Sequence, residues 1–151
     1  MTARRLSVVG LLVLLCGATA ALTANSATNT AAVVKVAKTS LGPVLVDGSG
    51  RTLYLFTLDR KGSSSCTTGS FNCIVLWPPL LTTAKPHAGP GVSPALLGTV
   101  RRAKPSGVQV TYNGHFLYRY AQDTKPGDVK GQGYGSVWYV VSPKGTPIKR
   151  K

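Results

Sequence analysis

The chain has 151 residues, with eighteen Lys and Arg, four Asp and no Glu, for a net charge of +14. That length allows one domain, or two very small ones. Seventeen Gly, ten Pro and no long apolar stripe of helical period exclude a helical bundle, and no nucleic-acid motif accompanies the scattered basic residues.

The first 24 residues have the layout of a secretory signal: basic Arg4 and Arg5, an apolar run from Leu6 to Leu15, then small residues with cleavage patterns ending at Ala20 or Ala24. Cys16 is in the region where a lipidated cysteine would stand. Leu15 precedes it instead of a small residue, so soluble export is the expectation and lipid anchoring the lesser alternative. NSATNTAA from residue 25 is small and polar and suggests a flexible lead-in over 25–34. Without Arg4 and Arg5 the balance is sixteen Lys and Arg against four Asp, or +12, and the expected partners are anionic envelope polymers such as teichoic acid, or anionic lipid surfaces.

From residue 43, PVLVDGSGRTLYLF predicts a hairpin. Val44 and Val46 share a face, residues 47–50 turn the chain, and Leu53 and Leu55 then oppose Tyr54 and Phe56. Asp59 comes next and opens a Gly/Ser/Lys loop. Cys66 and Cys73 are the two cysteines left after export, and an even count in an oxidising compartment predicts a disulfide, with about 2.5 kcal/mol from closing so short a loop. CIVLWPPL predicts a strand bearing Trp77, stopped by Pro78 and Pro79. Residues 82–105 form a linker, with a short helical turn at 93–98: Ser93 as cap, Pro94 first, Gly98 closing.

GVQVTYNGHFLYRY then repeats the hairpin, with Asn113-Gly114 as a two-residue turn. Setting residues 42–59 over 106–123 gives six identities in eighteen positions, including Val44 with Val108, Leu53 with Leu117, Tyr54 with Tyr118 and Asp59 with Asp123. Phe56 falls on Tyr120. A second loop leads to a strand with Trp138. The expectation is an all-β domain over 35–146, made of two strand-turn-strand-loop-strand repeats at about 35–81 and 99–146, with 147–151 as a basic tail.

These residues carry a resemblance. YLFTLD at 54–59 and YRYAQD at 118–123 both fit Yx(F/W/Y)xxD, CIVLWPPL is similar to a Cys-then-Trp-Pro-Pro block, and residues 109–145 resemble a second copy nearly throughout. The pattern resembles the bacterial "secreted repeat of unknown function" family of predicted lipoproteins. The resemblance implies the fold unit and an extracytoplasmic compartment; it implies no reaction. Phe116 stands where that family has Pro, and the two cysteines are further apart than its usual pattern.

Each candidate site has a plain structural alternative. Asp59 and Asp123 suit backbone N–H groups of the loops they open, or a convergent cation site that Asp128 could join, although the dense acidic spacing of a calcium loop is missing. Tyr54, Phe56, Tyr118, Tyr120, Trp77 and Trp138 suit an aromatic core, or a stacking platform for a ligand. His87 and His115 stand apart, with no C-x-x-C-H. Gly131, Gly133 and Gly135 form a Gly-rich loop with no helix after it, a poor phosphate cradle. With no G-x-S-x-G, no Glu and no free Cys once the disulfide forms, no catalytic residue, metal site or cofactor is expected. The leading expectation is a non-enzymatic envelope or extracellular binding domain. Its rivals are a metal or redox carrier using His87, His115 or the Asp pair, and an enzyme acting on envelope polymers through Asp59 and Asp123.

Overall fold

The structure, a computed structural model, describes residues 30–68 and 72–150. The segment read as a secretory signal, with Cys16, and residues 25–29 of the expected lead-in lie outside the described residues.

The domain is all-β, as expected. Strand β1 (Val33–Thr39) pairs antiparallel with β2 (Gly42–Asp47), and β3 is Tyr54–Phe56. After the helical turn α1 (Cys73–Leu76) come the two-residue strands β4 (Leu81–Thr82) and β5 (His87–Ala88), the second parallel to β1. A 3-10 turn, Pro94–Leu96, leads into β6 (Leu97–Arg102), which pairs with β7 (Gly107–Tyr112). Strands β8 (His115–Phe116) and β4 also pair with β7, and β9 (Trp138–Val140) pairs with β3.

Four expectations need correcting. First, β1 begins at Val33, inside the segment read as a lead-in, and Val34 is fully buried. Second, the long partner of β2 is β1; the segment just before β3 meets β2 only through an isolated bridge of Thr52 with Val46, with Leu53 N–H donating to the Leu45 carbonyl at 2.9 Å. Third, CIVLW is helical: α1 ends on Trp77, whose N–H donates to the Cys73 carbonyl at 2.7 Å. The disulfide joining Cys66 to Cys73 pulls the start of this segment back onto the loop, and Asn72 turns it with a left-handed backbone (φ 57). Those constraints override the strand preference of Ile74 and Val75. Fourth, the basic tail is docked: Ile148 N–H donates to the Val140 carbonyl at 3.0 Å and the Arg150 guanidinium to the Leu41 carbonyl at 2.5 Å.

The second turn behaves as the sequence requires. Asn113 and Gly114 both take positive φ (50 and 78), the requirement of a type I′ turn. Ser93 precedes the 3-10 turn without a side-chain cap bond; its N–H donates to the Tyr112 hydroxyl instead.

Strand alternation divides the interior in two. Val44, Val46, Tyr54, Tyr118 and both tryptophans join one buried cluster. Leu45, Leu53, Leu55 and Leu117, which alternate with them along the chain, join the other, together with Val110 of β7. The central strands are therefore covered on both sides, and the two copies exchange parts. The Trp segment of the first copy bonds to the second hairpin: Leu80 N–H donates to the Leu117 carbonyl and Ala121 N–H to the Leu76 carbonyl, both at 2.9 Å. The Trp segment of the second copy does the same to the first hairpin: Val141 N–H donates to the Leu53 carbonyl at 3.1 Å and Thr57 N–H to the Val137 carbonyl at 2.9 Å. At the centre, Tyr54 and Tyr118 exchange both backbone bonds, at 2.8 and 2.9 Å. This is a pseudo-twofold arrangement with its axis between the motif tyrosines.

Candidate functional site

The repeated motif lies on that axis. Phe56, Trp138, Trp77 and Tyr120 form a column of rings with successive centroids 4.2, 4.0 and 4.4 Å apart. The two indoles are parallel, one from each copy. Within a copy the two motif aromatics share a strand face but pack on different partners: Phe56 stacks on Trp138, while Tyr54 meets Trp77 edge-on at 5.3 Å. Trp77, Tyr120 and Trp138 are 2–3% exposed and belong to the interior, while Phe56 at the end of the column is half-buried.

The loop after the second motif closes over it. Gly131 lies so near the column that a Cβ there would stand 2.7 Å from Trp77 Cη2 and 3.0 Å from Tyr120 Cγ. Trp77 is held between Trp138 and Tyr120 and has little room to yield. Gly131→Ala is therefore expected to cost about 1–3 kcal/mol, the usual result of overpacking, read as a lower midpoint in chemical denaturation. An unchanged midpoint would mean that the loop moves freely. Gly133 and Gly135 take positive φ (71 and 58) and shape the turn into β9.

The motif carboxylates also cross between copies. The Tyr54 hydroxyl donates to Asp123 Oδ2 and the Tyr118 hydroxyl to Asp59 Oδ2, each at 2.6 Å. Each Asp accepts in addition from its own loop: Asp59 from Ser65 N–H at 2.7 Å and Asp123 from Lys130 N–H at 3.0 Å. The second tyrosine oxygen valence is used too, by Gly131 N–H on Tyr54 and by Ser64 Oγ on Tyr118. Each Asp thus ties its own loop to the other copy's strand.

Charge in this region follows burial. Burial pushes the Asp123 carboxyl up, and the bonds from Tyr54 and Lys130 only partly offset it. Burial also raises Asp59, against the bonds from Tyr118 and Ser65 and the charge of Arg102. Both tyrosines are pushed well above their ordinary range by burial and by the adjacent carboxylate, so they stay hydroxyl donors.

The other two carboxylates are occupied elsewhere. Asp47 binds Ser49 N–H at 2.9 Å, Arg51 N–H at 3.0 Å and the Arg119 guanidinium at 2.5 Å. Burial would raise Asp47, but the bonds from Ser49, Arg119 and Arg51 outweigh it and hold the carboxyl below the usual range. Asp128 does not join Asp123. It accepts Thr124 N–H at 3.0 Å and pairs with Lys130 at 3.4 Å, which hold it low. His87 is exposed on β5 and His115 half-buried on β8. Among the described residues no three His, Cys, Asp or Glu come together as a metal site.

Sequence reasoning missed three residues. Arg119 occupies the variable position of its motif and is the ion-pair partner of Asp47 across the copies. Alternation placing it opposite Tyr118 and Tyr120 was the available signal. Arg102 and Gln109 are buried and bonded to one another. Nothing in the basic run RRAK at 101–104 marks which cation goes inside.

Comparison with known families matches the chain twice to a secreted repeat of unknown function, over residues 35–81 and 99–142. The second match ends four residues before the repeat boundary expected at 146. No curated protein and no solved structure matches. No helix among the described residues is long and apolar enough to cross a membrane, and the family description places the domain outside the cytoplasm. With two matched copies spanning more than half its length, the chain belongs to the family of secreted repeats of unknown function.

Proposed function

We propose that this is a non-enzymatic domain, released by cleavage near Ala20 or Ala24, that binds polyanions of the cell envelope or its surroundings through its positive charge. One observation carries the reading. All four aspartates are committed to internal bonds, and among the described residues only Arg119 and Lys130 lie within ion-pair distance of a carboxylate. The other Lys and Arg among the described residues are in no ion pair, in a chain of net charge +14. Such a surface attracts anionic polymers over distances set by salt screening. The same commitment of Asp59 and Asp123 to tyrosine and backbone donors argues against their use as an acid and base pair.

The exported protein is expected to be retained on a polyanionic resin at low salt and to elute steadily as salt rises. The screening length falls to about 8 Å at physiological ionic strength. Retention that ignores salt would overturn the reading in favour of a specific uncharged pocket.

A further inference from the structure

Strand β6 ends in Arg101 and Arg102, and Lys104 follows two residues later in the turn toward β7. These three cations face one cleft of about 320 Å³, whose other wall includes Gly62, Ser63 and Ser64 from the loop after the first motif. Arg101, Lys104 and Ser63 are exposed. Arg102 is only 6% exposed.

The surroundings of Arg102 are unusual for a buried cation. Its guanidinium donates to the Gln109 side chain, to the Cys66 carbonyl at 2.6 Å and to the Lys104 carbonyl at 2.9 Å, and its Nε has no partner. Every acceptor is neutral. Asp59 feels the Arg102 charge but is not within ion-pair distance, and its oxygens are held by Tyr118 and Ser65. Burying a charge without a counter-charge is costly. Placing two more cations at the same opening adds repulsion. The bonds to Cys66 and Lys104 account for Arg102 as a brace between loop and turn; they do not account for Arg101 and Lys104 beside it.

We propose that this cleft is the seat of a phosphoryl group, and that it is the specific contact through which the domain holds a phosphate-bearing polymer. The inference rests on the polyanion reading above. In such a polymer each in-chain phosphodiester carries one charge over two free oxygens and a terminal monoester carries up to two, an arrangement that two Arg forks, Lys104 and the Ser63 hydroxyl can engage together. Arg101 and Lys104 bind it at the mouth, and Arg102 supplies the field from beneath.

The test uses the full exported protein and three probes: inorganic phosphate, a poly(glycerol phosphate) chain, and a carboxylate polysaccharide without phosphate. Binding is followed by amide NMR shifts and by titration calorimetry. The double variant Arg101→Gln/Lys104→Gln is compared with Lys125→Gln/Lys144→Gln, which removes equal charge from exposed positions elsewhere. The expected result is saturable shifts at residues 62–64 and 101–104 with phosphate and with its polymer. The cleft variant should bind the phosphate polymer roughly tenfold more weakly than the control variant does, the loss of about one charge-assisted hydrogen bond. Equal weakening in both variants, without saturable cleft shifts, would overturn the site and leave the polyanion reading standing. Equal affinity for the carboxylate polymer at the same residues would overturn the phosphoryl assignment. Saturation by free phosphate but not by the polymer would overturn the polymer as its source. No binding of any polymer by the unaltered protein would overturn both proposals.

Discussion

Trp77→Ala is expected to lower the unfolding free energy by about 3–5 kcal/mol, the loss typical of a large buried aromatic, in chemical denaturation at neutral pH. The effect is large because the indole is 2% exposed and touches Tyr54 of its own copy as well as Tyr120 and Trp138 of the other. Removing it opens a space between Trp138 and Tyr120 that neither ring can fill without leaving its own strand. Trp138→Ala should cost a similar amount, since it is the symmetry mate in the same stack. Val75→Ala is the control: that side chain is 68% exposed on α1, only two residues from Trp77, and its loss should be within about 0.5 kcal/mol of zero. If Trp77→Ala cost no more than Val75→Ala, the ring column would not be a core.

The repeat was legible because it is written in residue identity. Leu53 with Leu117, Tyr54 with Tyr118 and Asp59 with Asp123 keep one register, and the Asn113-Gly114 turn fixes where the second hairpin reverses. The disulfide was legible from cysteine count and compartment. Strand partners were not. Alternation in LYLF states that Leu53 and Leu55 oppose Tyr54, but both faces prove to be buried, and the β3 partner is Trp138–Val140 of the other copy. Local pattern carries period and face, while pairing depends on where the second copy docks. The same limit hid the start of β1: Val33 and Val34 looked like the end of a polar lead-in, and they become strand because β2 needs a partner. It also hid the destination of the motif carboxylates. Backbone N–H groups of the loop after each motif were foreseeable from Asp at a turn; a tyrosine 69 residues away in sequence was not.

The exchange of Tyr and Asp between copies has a signature that no single substitution provides. Asp123→Asn leaves one oxygen for two donors, Tyr54 O–H and Lys130 N–H, and turns an NH2 toward the other. The expected loss is about 1–3 kcal/mol. Asp59→Asn should lose less, because Asp59 is half-buried and Asp123 is 1% exposed. In double-mutant cycles with Tyr→Phe, the cross-copy pairs Tyr54/Asp123 and Tyr118/Asp59 should couple by about 0.5–3 kcal/mol, as bonded neighbours do. The same-copy pairs Tyr54/Asp59 and Tyr118/Asp123 share no direct bond and should couple less. Equal or stronger same-copy coupling would show that each motif is self-contained. The pH dependence separates these carboxylates from Asp47. Asp123 is raised in the folded protein, so its contribution is fully present below the unfolded value of about 3.9 and declines as pH rises through the folded value. The penalty for Asp123→Asn should therefore be larger near pH 3 than at pH 7. Asp47 is lowered, so its contribution is present above the unfolded value and is lost as pH falls through the folded one. The penalty for Asp47→Asn should show the opposite trend, larger at pH 7. Denaturation curves for both variants across that range decide the matter. Parallel trends would mean that burial does not dominate at Asp123, and that its tyrosine and amide bonds hold the ionised form as strongly as Arg119 and the turn hold Asp47.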